Sequence, residues 1–273
     1  MSTAYLGTSA FAATVLERLA ASPYRPSLVV TRPDAPRGRG RKLAAPPVAE
    51  TARALGIPVL QPEDVNAPEV AQRIEDDQPD AVIVCAFGAI IRRPLLGYDI
   101  LNVHPSLLPR WRGAAPIERA IMAGDTETGV SIMRLVEGLD SGPVCLQASE
   151  PIAPDDTYGT LAPRLERLGA DLLVRALAER PPYAAQDESL VTYADKIGPA
   201  DRTLDPARPA RENVDVVRAL SPHIGARLPL PDGSFLGIRA ARVGEDGAFE
   251  PLEVQPAGGR PMPYADYVRG HGG

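Results

Sequence analysis

Long apolar runs and cysteines are scarce in this sequence of 273 residues. No stretch approaches the roughly 18 consecutive apolar residues that a membrane-spanning helix needs, and the N-terminus lacks the basic segment and apolar core of a signal peptide. The two cysteines, Cys85 and Cys145, both lie in apolar runs. We therefore expect buried side chains, neither a disulfide framework nor a metal site, and a reducing cytoplasm as the location.

Metal ligands and nucleotide-binding motifs are also few. Three histidines and two cysteines are scattered along the chain without a ligand cluster, so no metal is expected. The early turn Gly7-Thr8-Ser9 lacks the G-x-G-x-x-G pattern and the lysine of a phosphate loop, which disfavours nucleotide binding. The formal charge of -6 argues against unspecific coating of nucleic acid but leaves room for a local basic patch.

Strand and helix patterns alternate through the first two-thirds of the chain. Apolar segments of strand length occur at residues 3–6, 27–31, 57–60 and 81–87, and helical patterns separate them. This alternation predicts an α/β fold with a doubly wound, mostly parallel sheet. The run at 81–87 is the most continuously apolar and predicts a central strand.

The C-terminal part follows a different pattern. Residues 213–220 indicate one short helix, and residues 227–254 alternate apolar and polar side chains around two turns. That pattern is typical of a small antiparallel β unit, with an OB-like barrel as one candidate architecture. We expect a larger domain over residues 1–190, a linker over 191–212 and a short β domain over 213–273.

The strongest candidates for chemistry lie between residues 101 and 140. Asn102 and His104 are two residues apart, so on a strand both side chains project from the same side. Asp140 follows in the turn Glu-Gly-Leu-Asp-Ser-Gly. An amide donates to an oxyanion, an imidazole moves a proton near neutral pH, and a carboxylate stabilises the charged imidazole, a set that suits acyl transfer. The spacing by itself leaves a purely structural histidine open.

The longer string around these residues resembles the core of the 10-formyltetrahydrofolate-dependent formyltransferases. In that family an Asn-x-His pair, a Ser-Leu-Leu-Pro-x-x-x-Gly loop and a later Asp form the active site. The matching catalytic positions are Asn102, His104 and Asp140. The resemblance implies a formyl donor, 10-formyltetrahydrofolate, that contacts Ser106, Leu107, Leu108 and Pro109. It also places the pterin against the backbone of Phe87, Gly88, Ala89 and Ile90, for which a plain strand-to-loop turn is the alternative.

Residues 32–47 combine proline, glycine and basic side chains, which predicts an exposed loop without a regular element. Its four clustered cations are Arg37, Arg39, Arg41 and Lys42. Charge alone fits a solvated loop as well as an arm that contacts phosphates. The segment also resembles the insertion loop by which methionyl-tRNA formyltransferases approach the acceptor end of initiator tRNA. The resemblance therefore implies tRNA contact by these four residues.

Two further segments bear on the substrate. Residues 192–197 resemble the junction between the catalytic and C-terminal domains of the family, and residues 254–262 resemble the closing motif of methionyl-tRNA formyltransferases. The resemblance implies formylation of the α-amine of methionyl initiator tRNA, with a tRNA-facing C-terminal domain. We expect a monomer without a membrane partner. The alternatives are a formyltransferase for an amino sugar or other small amine, a 10-formyltetrahydrofolate hydrolase, and a catalytically silent tRNA-binding protein.

Overall fold

The computed structural model of the chain describes residues 2–37 and 42–271. The chain forms two compact units. The first holds the residues up to Arg112, together with Gly129–Glu150 and Pro163–Tyr193, and the second holds Gly113–Thr128, Pro151–Ala162 and the residues from Ala194 onward. The chain thus enters the second unit more than once, and the domain limits drawn from the sequence stay a prediction.

Strands and helices alternate along the first two-thirds of the described chain, as the sequence pattern predicts. In chain order the elements are β1 (Thr3–Gly7), α1 (Ala10–Ala20), β2 (Pro26–Val30), β3 (Ala35–Arg37), β4 (Lys42–Ala44), α2 (Pro47–Ala54), β5 (Val59–Leu60), α3 (Pro68–Asp76), β6 (Ala81–Cys85), β7 (Ile100–His104), β8 (Arg112–Gly113), α4 (Pro116–Met122), β9 (Glu127–Arg134), β10 (Val144–Pro151), α5 (Tyr158–Glu179), β11 (Tyr193–Ala194), α6 (Ala210–Leu220), β12 (Ala226–Pro229), β13 (Phe235–Val243), β14 (Phe249–Gln255), β15 (Met262–Pro263) and α7 (Tyr264–His271). Two short 3-10 helices lie at Leu95–Gly97 and Glu188–Leu190. No helix within the described ranges is both long and apolar enough to cross a membrane.

Seven strands form one sheet in the order β10-β9-β7-β6-β1-β2-β5. β1 pairs in parallel with β2 and β6, and parallel pairing continues to β5 on one side and β7 on the other. β9 runs antiparallel to β7. This arrangement confirms the predicted α/β class with a mostly parallel sheet. The strand order reverses between β1 and β6, and ligands of such sheets bind beyond the carboxyl ends of the strands at that point.

The turn from β1 into α1 shows how closely the chain packs at this switch point. Ser9 caps α1, and its side chain accepts a hydrogen bond from the backbone of Ala12. A Cβ at Gly7 would lie 2.8 Å from the Tyr5 ring and 2.9 Å from the Cβ of Ala12. Only glycine leaves room for this approach.

The two cysteines lie in different environments. Cys85 ends β6 and is fully buried, and burial raises the pKa of its thiol to about 12. Cys145 is only half-buried, so the prediction of two buried cysteines is wrong for this residue. The reason is that β10 is an edge strand of the sheet, and its side chains stay partly accessible. Both thiols are free.

The prediction of an irregular loop over residues 32–47 is also wrong. β3 and β4 pair in an antiparallel hairpin that joins Ala35 to Ala44 and Pro36 to Leu43. Proline does not prevent this pairing because both strands of a two-stranded ribbon are edge strands, where a missing N–H costs little. Exposure of the segment is confirmed at Leu43, which is 73% exposed.

The second unit contains a small antiparallel sheet, as predicted. Its strands pair in chain order from β12 to β15. α6 packs on this sheet through an apolar cluster whose fully buried members include Leu220, Ile238 and Val254. The helix begins at Ala210, earlier than predicted at 213, because Pro209 takes the N-cap position and the next three residues extend the first turn.

Candidate active site

Two polar side chains lie within the apolar strand β7. Asn102 is 7% exposed and His104 is 4% exposed, whereas the other residues of the strand are Ile, Leu and Val. Side chains alternate along a strand, so the amide and the imidazole project from the same face. Neighbouring strands pair with Asn102 at Val84 and Met133, which places both polar groups inside the sheet and away from its edge.

The imidazole of His104 lies between a carbonyl oxygen and a carboxylate. Its Nε2 is 2.9 Å from the carbonyl oxygen of Trp111, and its Nδ1 is 3.6 Å from Oδ2 of Asp140. The structure therefore brings His104 and Asp140 together. Trp111 is a contact that the sequence analysis missed.

These contacts define the tautomer of the neutral ring. A carbonyl oxygen only accepts hydrogen bonds, so Nε2 carries the hydrogen that points to Trp111. Nδ1 then has a lone pair that faces Asp140. A proton taken up at Nδ1 would lie beside the carboxylate, which is arranged to stabilise the positive charge of the ring.

The two residues that contact the imidazole have left-handed backbones. The φ angle is +64° at Trp111 and +44° at Asp140. Such angles are uncommon outside glycine and concentrate at functional sites. Thr192 stabilises the left-handed backbone at Trp111, because its Oγ1 accepts a hydrogen bond of 2.9 Å from the Trp111 N–H. Its carbonyl also accepts one from Arg112.

The amide of Asn102, unlike the imidazole of His104, has no partner among the described residues. Its side chain forms no hydrogen bond to any other described residue, although it is almost fully buried. Buried polar groups are normally satisfied by protein, water or ligand. The NH2 group of Asn102 is therefore available to donate to an oxygen of a bound molecule.

The loop that follows β7 is held from two neighbouring strands. The Ser131 hydroxyl in β9 accepts a hydrogen bond of 3.0 Å from the Leu108 N–H and donates one of 2.6 Å to the Ser106 carbonyl. Gln147 in β10 donates to the Leu108 carbonyl at 2.7 Å. The Ser106 hydroxyl donates to the carbonyl of Arg110 at 2.6 Å. The shape of the predicted folate loop, Ser106 to Pro109 with Leu107 half-buried, is thus set by hydrogen bonds between side chains and its backbone.

Ser131 and Gln147 were not identified from the sequence. Ser131 is fully buried inside the apolar segment Val-Ser-Ile-Met. A lone hydroxyl residue in a buried strand is a usable signal, because such a group needs a hydrogen-bond partner. Gln147 offers no comparable signal, since polar residues are common on an edge strand.

The segment after β6, Phe87 to Ile90, is held in place mainly through its backbone carbonyls. The Phe87 side chain packs in the core, and its carbonyl accepts a hydrogen bond of 2.8 Å from the Thr8 hydroxyl. Gly88 has a φ of +74°, and its carbonyl accepts from Arg32. A cavity of about 270 Å³ is lined by Phe87, Ala89 and Ile90 among others. Cavities that hold whole drug-sized ligands measure about 300–1,000 Å³, so this one suits one part of a larger donor.

Two of the four basic residues predicted to contact tRNA lie on the paired strands β3 and β4. Arg37 ends β3, and Lys42 begins β4 with its side chain exposed. Arg39 and Arg41 lie outside the described residues. Among the described residues, no group of three or more His, Cys, Asp or Glu side chains is arranged to hold a metal ion.

Comparison with known proteins gives a consistent picture. Residues 1–177 match the formyl transferase family. The chain is 43% identical to a methionyl-tRNA formyltransferase of Halorhodospira halophila, over 97% of this chain and 95% of that protein. It is also 43% identical to one of Symbiobacterium thermophilum, over 98% of this chain and 92% of that protein.

Solved structures share the fold at lower identity. A methionyl-tRNA formyltransferase from Clostridium thermocellum superposes with a TM-score of 0.67 at 15% identity, covering 96% of this chain and 99% of that one. A sugar N-formyltransferase from a Shewanella species gives a TM-score of 0.66 at 20% identity, covering 90% of this chain and 99% of that one. These structures support the architecture and do not distinguish between acceptors.

Proposed function

The chain belongs to the formyl transferase family, and we propose that it transfers the formyl group of 10-formyltetrahydrofolate to the α-amine of methionine on initiator tRNA. The observation that carries the proposal is the position of His104 between Asp140 and the Trp111 carbonyl, beside an available Asn102 amide. The relatives that match nearly the whole chain bear the name of this activity. The product would be formylmethionyl-tRNA for translation initiation.

Asn102 supplies the electrostatic part of the reaction. When the amine nitrogen attacks the formyl carbon, the formyl oxygen gains negative charge. The Asn102 NH2 group donates to that oxygen, an interaction worth roughly 3–4 kcal/mol for one good donor. The amide is suited to this role because it is buried and has no competing hydrogen bond among the described residues.

His104 handles the proton of the attacking amine. Its Nε2 hydrogen is committed to the Trp111 carbonyl, so Nδ1 is the basic nitrogen. The ring takes up at Nδ1 the proton that the amine loses as the new nitrogen–carbon bond forms, and the bond between the formyl carbon and the donor nitrogen breaks. The released proton returns to the donor nitrogen, so the ring regains its neutral form.

Asp140 stabilises the ring while it is charged. Its carboxylate lies 3.6 Å from Nδ1 and would approach the new N–H as a charge-assisted acceptor. In a serine protease triad the carboxylate also selects the tautomer. Here the Trp111 carbonyl selects it, and Asp140 is left with the electrostatic role.

We assign the folate donor to two backbone segments. Ser106, Leu107, Leu108 and Pro109 form one wall, whose shape depends on Ser131. Phe87, Gly88, Ala89 and Ile90 form the other, next to the cavity of about 270 Å³. In this proposal the donor is a co-substrate, and no residue of the site is assigned to a metal.

We assign the nucleic acid to the hairpin. Arg37, Arg39, Arg41 and Lys42 provide positive charge in a protein whose formal charge is -6, so a cluster of four is a local exception that suits phosphate contact. The proposal includes a catalytic domain over residues 1–190, a C-terminal domain that faces the tRNA, a monomeric state and a cytoplasmic location.

Formylation assays with different acceptors test the proposal. Purified protein is incubated with 10-formyltetrahydrofolate and, in parallel, with methionyl initiator tRNA, an amino-sugar nucleotide, or no acceptor. We expect formylmethionyl-tRNA in the first reaction and no product with the sugar. Product with the sugar alone, donor hydrolysis without acceptor, or tRNA binding without turnover would each support one of the alternatives and overturn the assigned acceptor.

A further inference from the structure

A buried guanidinium directly follows Trp111 along the chain. The Arg112 side chain is 3% exposed. Its Nε donates a hydrogen bond of 3.0 Å to Oε1 of Gln186, and its Nη2 donates one of 2.7 Å to Glu188. The position of this cation is therefore set by Gln186 on one side and Glu188 on the other. Neither of these two hydrogen bonds involves His104.

Gln186 clamps the loop that carries the catalytic carboxylate. Its Nε2 donates to the carbonyl oxygens of Asp140 at 2.8 Å and of Gly142 at 2.7 Å. Both hydrogens of the amide are used, while its oxygen accepts from Arg112. A side chain that donates twice to carbonyls and accepts from a cation has to be an amide.

We propose that Arg112 and Gln186 are positioning residues that hold the Asp140 carboxylate against Nδ1 of His104. The inference rests on the proposed function, in which that carboxylate stabilises the charged imidazole. The left-handed backbone at Asp140 is a strained conformation that persists only when its surroundings enforce it. Gln186 enforces it through the Asp140 carbonyl, and Arg112 keeps the Gln186 amide in the orientation this needs.

The first test is the pair of variants Gln186→Glu and Gln186→Met. The first keeps the shape but places a negative oxygen against two carbonyl oxygens, and the second removes all polar atoms at similar length. For both we expect kcat to fall roughly 10- to 100-fold, because a small misplacement of a catalytic group has that effect. The KM values for the donor and for charged tRNA should change little. Gln72→Met, at an exposed glutamine of α3, is the matched control and should behave as wild type.

The second test asks whether Gln186 acts through Asp140. The Gln186 variants are also made in an Asp140→Asn background, and kcat is measured together with the thermal melting temperature. If Gln186 works by positioning the carboxylate, its loss should reduce kcat much less once the charge is absent, so the effects are not additive. Equal fold-losses in both backgrounds, or losses that follow the fraction of unfolded protein, would overturn the inference.

The two proposals fail in different ways. If wild-type protein makes no formylmethionyl-tRNA, the proposed function is wrong. If wild type is active and both Gln186 variants keep wild-type kcat, only the positioning role is wrong.

Discussion

The site around His104 and the basic hairpin hold their polar residues in opposite environments. Asn102 and His104 lie on a strand buried inside the sheet, with exposures of 7% and 4%. Lys42 lies on a two-stranded ribbon and is exposed to solvent. The carboxylate beside His104 comes from Asp140, much later in the chain, whereas the four cations between residues 37 and 42 are neighbours in sequence.

This difference predicts different sensitivities. In the site, a buried hydrogen bond depends on position to within a fraction of an ångström, so loss of one group should affect the chemical step. At the hairpin, charge acts on phosphates over about 10 Å at 0.1 M salt, so loss of one group should affect binding and depend on ionic strength. Turnover of variants tests the site around His104, and the salt dependence of tRNA binding tests the basic hairpin.

The largest effect is expected at Asn102 and His104. Asn102→Ala removes the donor to the formyl oxygen, and His104→Ala removes the proton acceptor, so each should lower kcat by roughly 100-fold or more. Folate binding, followed by fluorescence titration, should be largely kept because both groups act on charge that appears during the reaction. His223→Ala, in the second unit, is the histidine control. Wild-type turnover in either site variant would refute the assignment.

Asp140→Asn should have a smaller effect. Asparagine tolerates the left-handed backbone that Asp140 adopts, so the change removes charge and keeps the shape. Hydrogen bonds to charged groups contribute about 1.5–3 kcal/mol, which corresponds to about a 10- to 150-fold loss of kcat. The pH-rate profile should also change. A profile identical to that of wild type would show that Asp140 is structural only.

Ser131→Ala tests the wall assigned to the folate. It leaves the Leu108 N–H and the Ser106 carbonyl without their shared partner, a loss of about 1–3 kcal/mol for each buried group left unsatisfied. We expect a lower melting temperature and a several-fold higher KM for the donor, about 5-fold per kcal/mol transmitted to binding. Ser149→Ala, on the exposed face of β10, is the control. An unchanged donor KM would separate this loop from folate binding.

The hairpin should show the opposite behaviour. Arg39→Ala together with Arg41→Ala should raise the apparent KM for charged tRNA, more steeply at low salt, and lower the salt slope by about one per lost phosphate contact. Melting temperature and donor KM should barely move. Arg175→Ala, an exposed arginine of α5, is the control. Superimposable tRNA titrations at two ionic strengths would remove tRNA from the hairpin and leave formyl transfer standing.

The smallest expected effect is the loss of stability when one ion pair outside both regions is removed. It shows how much a single ion pair contributes to the free energy of unfolding. In the second unit, a hydrogen bond from Arg119 holds the pKa of Asp201 below its usual value. A lowered folded pKa means that the ion pair stabilises the protein above the unfolded pKa of about 3.9 and loses this contribution as the pH falls through the folded value. Asp201→Asn should therefore cost up to about 1 kcal/mol at pH 7. Melting curves of variant and wild type should converge in acid, and a constant difference would contradict the ion-pair account.

Much of the architecture could be predicted because it depends on local pattern. The apolar run at 81–87, predicted as a central strand, contains β6. Asn102 and His104 were recognisable as partners because two residues on one strand share a face, wherever the strand lies. The hairpin was missed because its proline and glycine favour a loop locally, and only the pairing of β3 with β4 makes it regular.

The sequence by itself determined the fold class, the resemblance to the formyltransferases and the identity of the groups available for chemistry. Tertiary structure alone decided the rest: that the Trp111 carbonyl contacts His104, that Ser131 and Gln147 shape the 106–109 loop, and that Gln186 holds the loop of Asp140. The physical reason is that these are single hydrogen bonds from side chains to backbone carbonyls, most of them between residues far apart in the chain. They have no periodicity, and a backbone carbonyl leaves no mark on the amino-acid sequence.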